Sequence, residues 1–428
     1  MNRLRVPTLT LIAVILAAAS GVAQLAYPTK FTGALAGRAD IREALAYVDQ
    51  NFERQVAEWI RITEIPAPSG QEAERAAYVA GELRKLGLTS EVDGIGNLIA
   101  RRAGTGGGPT VVLTAHLDTV FPAGTDIKVR KSSDGTTLYA PGVFDNSASV
   151  ANVLQALRAM DAARIRTKGD IIFIATAQEE VGLKGMYYWL ERNKGVADML
   201  VAIDAALGPV NYGALGIYWS RMKFTAAGAH TNNSRGLPNP ARAAAKCITD
   251  IYAVPLPDPD APVSAVYNVG GLMTAGNVVN AIPAEVTFSV DLRTVDPALI
   301  QTLDAAILAK CDAAAKAHGV GFVREWIQRS EAGGRPEDLA DERAHPIVQT
   351  SIDVLRHLGF ELPRGREAVA TGSTDANAGV VQGIPSVAIG RARGGDQHTL
   401  QEWSDVETAK IGTKQIILLA AALAEVAN

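Results

Sequence analysis

Short apolar runs alternate with amphipathic stretches in the first half of the chain. Three of these runs, Pro109–Leu113, Asp170–Ala175 and Met199–Ile203, predict buried strands. Apolar residues recur at three-and-four spacing over Ile41–Ile62, which predicts one or two helices, and Ala148–Met160 predicts another. Strands that alternate with helices in this way indicate a parallel or mostly parallel sheet with helices on both faces.

The pattern changes after Asn211, and a second kind of unit begins. The order of strand, helix, two strands, helix and strand is that of a split ferredoxin-like α+β unit. We therefore predict a larger α/β domain in two parts, residues 35–213 and 329–428, with the α+β unit inserted at 214–328. The elements predicted from here on are Gly216–Ala226, Asn239–Val254, Ala265–Gly271, Val286–Arg293, Pro297–His318, Gly321–Gln328, Pro346–Leu358 and Ala409–Val426.

The first 23 residues have the pattern of a targeting segment. Arg3 and Arg5 form a short basic region, Pro7–Ala19 is apolar, and Gly21–Ala23 supplies the small residues that a signal peptidase reads. We expect cleavage after Ala23, and the alternative is an uncleaved membrane anchor. Both place the bulk of the chain outside the cytoplasm, in the periplasm or the medium. No later stretch is long and apolar enough to span a bilayer.

Composition and charge narrow the classes of partner. The 428 residues are 48% hydrophobic and 20% charged, with a formal net charge of −4, which is typical of a globular protein. This charge gives no indication of a nucleic-acid partner or of an acidic membrane surface. The two cysteines, Cys247 and Cys311, fall on predicted helices of the inserted unit. Export permits a disulfide between them. A single pair of cysteines does not form the disulfide framework typical of small secreted domains, so we favour two buried free thiols.

Acidic residues and one histidine cluster at the predicted strand ends. In sheets of this kind, ligands bind beyond the carboxyl ends of the strands. Each residue alone has a plainer interpretation, namely a core histidine beside an unrelated aspartate, or paired carboxylates in a solvated loop. The residues are His116, Asp118, Glu179, Glu180 and Asp204 at strand ends, and Asp145 in a turn before a helix.

These residue types meet the needs of a hydrolase with two metal ions. Such a site requires a carboxylate that bridges the ions, terminal ligands for each ion, and a base for the attacking water. Asp145 suits the bridge, because it lies in a tight turn just before a helix. Glu179 and Glu180 are adjacent at a strand end, where successive side chains point in opposite directions. One of them can therefore bind metal while the other faces the substrate.

The motifs together resemble the M20 family of co-catalytic zinc metallopeptidases, from about Arg42 to the C-terminus. In chain order they are H-L-D, G-V-F-D-N, Q-E-E, I-D, G-A-H-T, V-N-A-I-P-A-E followed by D-L-R, and a late H-T-L-Q-E. The resemblance implies a zinc-peptidase catalytic domain, with a mixed, mostly parallel sheet between helices. It also implies that the inserted ferredoxin-like unit is a lid and dimerisation domain, through which the chain can form a homodimer.

The resemblance further implies two zinc ions per subunit, with cobalt or manganese as substitutes for this nitrogen and oxygen ligand set. Asp118 would orient its neighbouring histidine ligand, and Glu179 would be the general base. A cis peptide bond between Asp145 and Asn146 is also expected. The implied metal ligands are His116 and Asp204 for one ion, Glu180 and His398 for the other, and Asp145 for both.

Further residues would contact the substrate. His230 would polarise the scissile carbonyl, in dimeric relatives from the other subunit, although from the residues alone an ordinary loop histidine is preferred. Arg293 has the forked guanidinium that pairs with a carboxylate. The matching substrate positions are Asn280, Arg293 and the loop of Thr371, Gly372 and Ser373.

Asp204 guides the choice of substrate class. Relatives that remove amino-terminal residues or split dipeptides tend to have aspartate at this position, whereas acylases and carboxypeptidases tend to have glutamate. Together with the sequence around His230, this favours the peptidase T-like branch and an aminopeptidase acting on short peptides. The alternatives are an N-acyl amino acid amidohydrolase or carboxypeptidase, and a non-catalytic binding protein on the same scaffold, which would be expected to have lost Glu179 or a ligand.

Overall fold

The computed structural model describes residues 28–258, 261, 263–274, 278–334 and 336–427. The predicted signal peptide, residues 1–23, lies outside the described residues. Within the described part of the chain, every helix is too short or too polar to cross a membrane.

A large eight-stranded sheet forms the centre of the molecule. Its four middle strands, from Ile171–Thr176 to Ser386–Ala392, run parallel, and both flanks contain antiparallel pairs. The predicted mixed, mostly parallel sheet is thus confirmed. In spatial order the strands are Ser90–Val92, Leu98–Arg102, Ile171–Thr176, Val111–His116, Met199–Ala206, Ser386–Ala392, Val210–Asn211 and Ala368–Val369.

Both faces of this sheet are covered by helices, which explains why its central strands are apolar throughout. Successive residues of a strand point to opposite faces. Val111 and Leu113 accordingly pack into the larger core on one face, whereas Val112 packs against Trp189 and Leu190 on the other. The helices of the structure are Gly33–Ala36, Ala39–Gln50, Phe52–Thr63, Ala73–Lys85, Ser149–Ala162, Lys184–Arg192, Pro240–Ile251, Pro297–His318, Pro336–Ala344, Pro346–His357, Ala376–Val381 and Ala409–Leu423.

The inserted unit has the predicted ferredoxin-like order. Its four strands are antiparallel, and the helices Pro240–Ile251 and Pro297–His318 pack on one face around the buried Phe224 and Phe288. Both helices begin with proline after a capping side chain, as their sequences favour. In spatial order the strands are Ala265–Thr274, Glu285–Thr294, Gly216–Thr225 and Gly321–Ser330.

The preference for two free thiols was wrong. Cys247 and Cys311 form a disulfide between the two helices of the inserted unit, with their Cα atoms 4.7 Å apart. The two cysteines are separated by 64 residues, so only the packing of the helices brings them together. The hydrophobic pattern of each helix places its cysteine on the buried face but does not specify the axial register between the helices.

A small four-stranded sheet connects two loops at the edge of the large sheet. Trp403–Asp405 pairs with Thr137–Tyr139 on one side and with Gly394–Gly395 on the other. The fourth strand is Arg130–Lys131. The loop that contains His398 is thereby attached to the segment that leads to Asp145.

Candidate metal centre

The predicted metal ligands meet at the carboxyl ends of the parallel strands. His116 is the last residue of its strand, and Glu179 and Glu180 follow the end of the neighbouring strand. Asp204 differs slightly from expectation, since its strand continues to Ala206 and the carboxylate comes from within the strand. His398 belongs to the loop after Ser386–Ala392. The parallel order of the four strands brings these residues to one edge of the sheet.

Asp145 stands between two groups of ligand atoms, which we call the first and the second ligand group. In the first group, Nε2 of His116 lies 3.1 Å from Oδ1 of Asp145 and 3.6 Å from Oδ1 of Asp204. In the second, Nε2 of His398 lies 3.5 Å from Oδ2 of Asp145 and 3.3 Å from Oε2 of Glu180. One oxygen of Asp145 thus faces each group. The expected cis peptide bond between Asp145 and Asn146 is present.

Asp118 holds several parts of the site together. Its Oδ1 lies 3.5 Å from Nδ1 of His116, and its backbone carbonyl lies 3.0 Å from the same nitrogen. Its carboxylate also accepts hydrogen bonds from the backbone N–H groups of Glu179 and Glu180, and from the hydroxyl of Ser69. The side chain is therefore placed to orient both a histidine ligand and the adjacent glutamates.

The Glu179 carboxylate is buried, with Oε2 4.0 Å from Nε2 of His116. Burial raises the pKa of Glu179 well above its ordinary value, and the carboxylates of Asp204 and Glu180 add to this increase. A carboxylate with a raised pKa is a better proton acceptor at neutral pH, which is the property that a general base requires.

The charges of the ligand groups are strongly coupled. Burial opposes the charged form of His116, but the carboxylates of Asp204 and Glu179 outweigh it and raise the pKa of the imidazole well above its usual value. Hydrogen bonds to Asp145 and Glu180 raise the pKa of His398 to about 10. A metal ion must therefore displace protons from these imidazoles, so metal affinity is expected to increase with pH.

The donor set fits divalent cations. The site contains more carboxylate side chains than positively charged side chains. A buried excess of negative charge is costly unless a cation balances it. Oε1 of Glu180 is buried without a hydrogen-bond partner in the described part of the chain, although the same carboxylate faces His398 through Oε2. Two imidazoles and several carboxylates suit zinc, cobalt or manganese. The ligand atoms within each group lie within 4.8 Å of one another, close enough to share an ion.

Glu402 belongs to the H-T-L-Q-E motif but was not predicted as a site residue of its own. Its buried carboxylate accepts hydrogen bonds from the backbone N–H groups of Gly142, Phe144 and Asp145, at 2.8 to 2.9 Å. Burial raises the pKa of Glu402 to about 7. Glu402 and His398 share one loop, so the loop that contains the predicted ligand His398 also holds the backbone of Asp145, the predicted bridge.

Two more buried charged residues had no predicted role of their own, although Asp375 ends the predicted substrate loop that begins at Thr371. Asp375 accepts a hydrogen bond from the hydroxyl of Thr176 at 2.6 Å, and burial raises its pKa to about 7. Arg391 lies in the otherwise apolar strand Ser386–Ala392 and contacts Asp145 and Asp204. The sequence did contain an indication of this residue, namely an arginine within an apolar run that predicts a buried strand. Arginine is rarely buried unless it is paired with a negative charge.

His230 lies on the inserted unit and is exposed, beside Asn280. The short strands Ala229–His230 and Ala281–Ile282 are antiparallel neighbours, and Nδ2 of Asn280 is 3.3 Å from Nε2 of His230. Nδ1 of the same imidazole accepts a hydrogen bond from the backbone of Asn232. Among the described residues, neither side chain has a hydrogen bond or ion pair to the two ligand groups.

Arg293 and the predicted substrate loop border one cavity. Arg293 pairs with Asp291 through two nitrogens at 2.9 Å, and it lies with Thr371 on a cavity of about 230 Å³ between the inserted unit and the larger domain. Gly372 packs closely against the amide group of Asn211, so a larger residue at this position would require the Asn211 side chain to move. Ser373 is partly buried in the same loop.

Replacement of His398 by alanine is expected to remove one equivalent of bound divalent metal, because the second ligand group then keeps only two carboxylates. The same change at His230 is expected to leave metal content unaltered, since its side chain is exposed and bonded within the inserted unit. Elemental analysis of both purified variants after zinc loading measures this. If His398→Ala retained as much metal as the unaltered chain, the second ligand group would be assigned wrongly.

The chain combines a two-part α/β domain, an inserted α+β unit and groups of residues that could hold metal ions. The family model described as Peptidase family M20/M25/M40 matches residues 112–422. The chain therefore belongs to peptidase family M20/M25/M40, whose hydrolases include peptidases and amidohydrolases.

Individual proteins are similar to this chain in sequence or in fold. Over 319 residues the chain is 26% identical to carboxypeptidase G2 of Pseudomonas sp. strain RS-16. This alignment covers 72% of this chain and 74% of the relative. A tripeptidase from Staphylococcus aureus has a similar structure, with a TM-score of 0.71, 24% identity, and coverage of 87% of this chain and 99% of its own. Aminopeptidase PepT from Bacillus cereus aligns with a TM-score of 0.68 and 22% identity, over 88% and 99% of the two chains.

Proposed function

We propose that the chain is an exopeptidase with two zinc ions, which hydrolyses the amide bond of short peptides at the amino-terminal end. The observation that carries this proposal is the position of Asp145, whose two oxygens face two separate groups of histidine and carboxylate ligands. Two divalent ions held there would lower the pKa of a shared water and polarise the scissile carbonyl. Cobalt or manganese could replace zinc in this ligand set.

Glu179 acts as the general base in this proposal. Its carboxylate accepts a proton from the attacking water and returns it to the leaving amine, so that an acid and an amine are the products. Asp118 supports this role, because it accepts a hydrogen bond from the backbone N–H of Glu179 at 3.0 Å. Burial of Glu179 excludes bulk water and raises its pKa, which makes it a stronger base.

The inserted unit supplies substrate contacts and a lid. His230 and Asn280 lie together on this unit and would stabilise the oxyanion, in the same subunit or across a homodimer. Arg293 could exchange its partner Asp291 for a substrate carboxylate in the adjoining cavity, near Thr371. We further propose export to the periplasm or the medium, on the basis of residues 1–23.

Two observations bear on the type of substrate. Asp204, in place of glutamate, and the similarity to a tripeptidase and an aminopeptidase support cleavage of free peptides. The similarity to carboxypeptidase G2 supports the second candidate, an N-acyl amino acid amidohydrolase or carboxypeptidase. The two candidates differ in whether the substrate needs an open amino terminus.

A comparison of one peptide in two forms tests the choice. The zinc-loaded chain is expected to hydrolyse a free tripeptide. Its rate of hydrolysis of the N-acetylated form should be at least about a hundredfold lower. The free amino acid released from either end is measured for both forms, together with acetate for the acetylated form. The Glu179→Ala variant serves as the control for a contaminating peptidase. Cleavage of the acetylated form at a similar or higher rate would favour the second candidate, and cleavage of neither form would contradict the proposed activity.

A further inference from the structure

Arg391 occupies an unusual position for a permanent positive charge. It is the sixth residue of the buried strand Ser386–Ala392, and its side chain is 1% exposed. The guanidinium lies over the ring of Phe144, 4.0 Å from the ring centroid. Arginine stays protonated throughout the accessible pH range, so this charge is fixed within the site.

The guanidinium contacts the two ligand groups unequally. One nitrogen lies 2.6 Å from Oδ1 of Asp204, and the other lies 3.2 Å from Oδ1 of Asp145. Both carboxylates belong to the first ligand group. In the second group, His398 faces the other oxygen of Asp145 and pairs with Glu180. Among the described residues, Arg391 has no ion pair or hydrogen bond to Glu180 or His398.

This asymmetry has an electrostatic consequence. A cation held by the first ligand group would compete with the guanidinium for the carboxylates of Asp145 and Asp204. It would also lie near a fixed positive charge in a poorly solvated site. A cation in the second group meets this charge only through the shared aspartate. The free energy of binding should therefore differ between the groups, although their donor types are alike.

We infer that Arg391 makes the two metal sites unequal, by weakening the site at His116 and Asp204 relative to the site at Glu180 and His398. The chain then binds its first divalent ion in the second ligand group and its second ion, with lower affinity, in the first. The inference rests on the metal centre of the proposed function, and it is independent of the substrate. Arg391 acts through Asp145 and Asp204, so it is a positioning residue and not a catalytic one.

Two single-site variants isolate the ligand groups for measurement. His398→Ala retains the first group, and His116→Ala retains the second. Zinc is titrated into each metal-stripped protein against a chelator of known affinity. We expect the Kd of His398→Ala to be at least about tenfold higher than that of His116→Ala. Equal Kd values, or the reverse order, would overturn the inference.

Adding Arg391→Met to each variant assigns the difference to the guanidinium, because methionine fills part of the same space without charge. The Kd of His398→Ala is expected to fall at least about tenfold, and that of His116→Ala by less than about threefold. A purely structural role of Arg391 would instead weaken both sites or change neither, and either result would overturn the inference.

Arg391→Lys keeps the charge and provides a second measurement if the methionine variant fails to fold. With lysine the two Kd values should remain at least about tenfold apart, and their convergence would count against the inference. Peptide hydrolysis is assayed separately in the unaltered chain. Unequal metal sites in a protein that cleaves no peptide would refute the proposed activity alone, whereas equal sites in an active peptidase would refute the inference alone.

Discussion

Replacement of Glu179 by alanine is expected to lower kcat by about two to four orders of magnitude while both metal ions remain bound. The attacking water loses its proton acceptor, and the leaving amine loses its proton donor. Metal content should be preserved because each ligand group keeps its histidine, its share of Asp145 and its own terminal carboxylate. Steady-state kinetics with a free tripeptide and elemental analysis of the same sample measure both quantities.

The matched control for this variant is Glu191→Ala. Its carboxylate lies on the nearby helix Lys184–Arg192 and is 67% exposed, so its loss should leave kcat unchanged. Turnover by Glu179→Ala close to that of the control would remove Glu179 from the role of base. Loss of metal in Glu179→Ala would show that this side chain acts as a ligand, and the assignment of Glu179 and Glu180 would then be exchanged.

Asp145→Asn is expected to reduce bound metal to less than one equivalent and to lower kcat/KM by more than about a thousandfold. Asparagine has nearly the same shape, but it is uncharged and has only one acceptor oxygen in place of two. It therefore cannot serve both ligand groups, and it leaves Arg391 with one carboxylate partner in place of two. Elemental analysis and kinetics at saturating zinc test this expectation.

An exposed aspartate provides the control for that substitution. Asp161→Asn makes the same chemical change at an exposed position in the last turn of the helix Ser149–Ala162, and it should affect neither metal content nor kcat/KM. If Asp145→Asn bound one full equivalent of zinc, a single ligand group would be sufficient for tight binding. Asp145 would then belong to one group only and would not be a bridge.

Much of the candidate site was predictable from local sequence. Apolar runs marked the parallel strands, and side chains at the ends of adjacent parallel strands meet at one edge for purely geometric reasons. His116, Glu179 and Glu180 could therefore be assigned to one site before any distance was known. The motif resemblance added His398, whose loop has no periodic pattern of its own.

The buried electrostatics of the site were not predictable in this way. Arg391 was hidden in an apolar run, and its importance depends on which side chains face it across the neighbouring strands. Glu402 stood in a recognised motif, but its function became visible only through three backbone N–H groups some 260 residues earlier in the chain. Long-range hydrogen bonds of this kind have no signature in sequence spacing.

The sequence by itself determined the fold class, the order of the elements in both units, and the residue types of the metal centre. The fold class and the order of the elements follow from hydrophobic periodicity, which is a local property of the chain. The residue types follow from polar residues at element ends and from the motif resemblance. Only the tertiary structure decided that Cys247 and Cys311 are bonded, that Asp145 divides its oxygens between two ligand groups, and that a guanidinium touches one group more than the other. Each of these depends on the register between elements distant in sequence, which packing determines and local pattern does not.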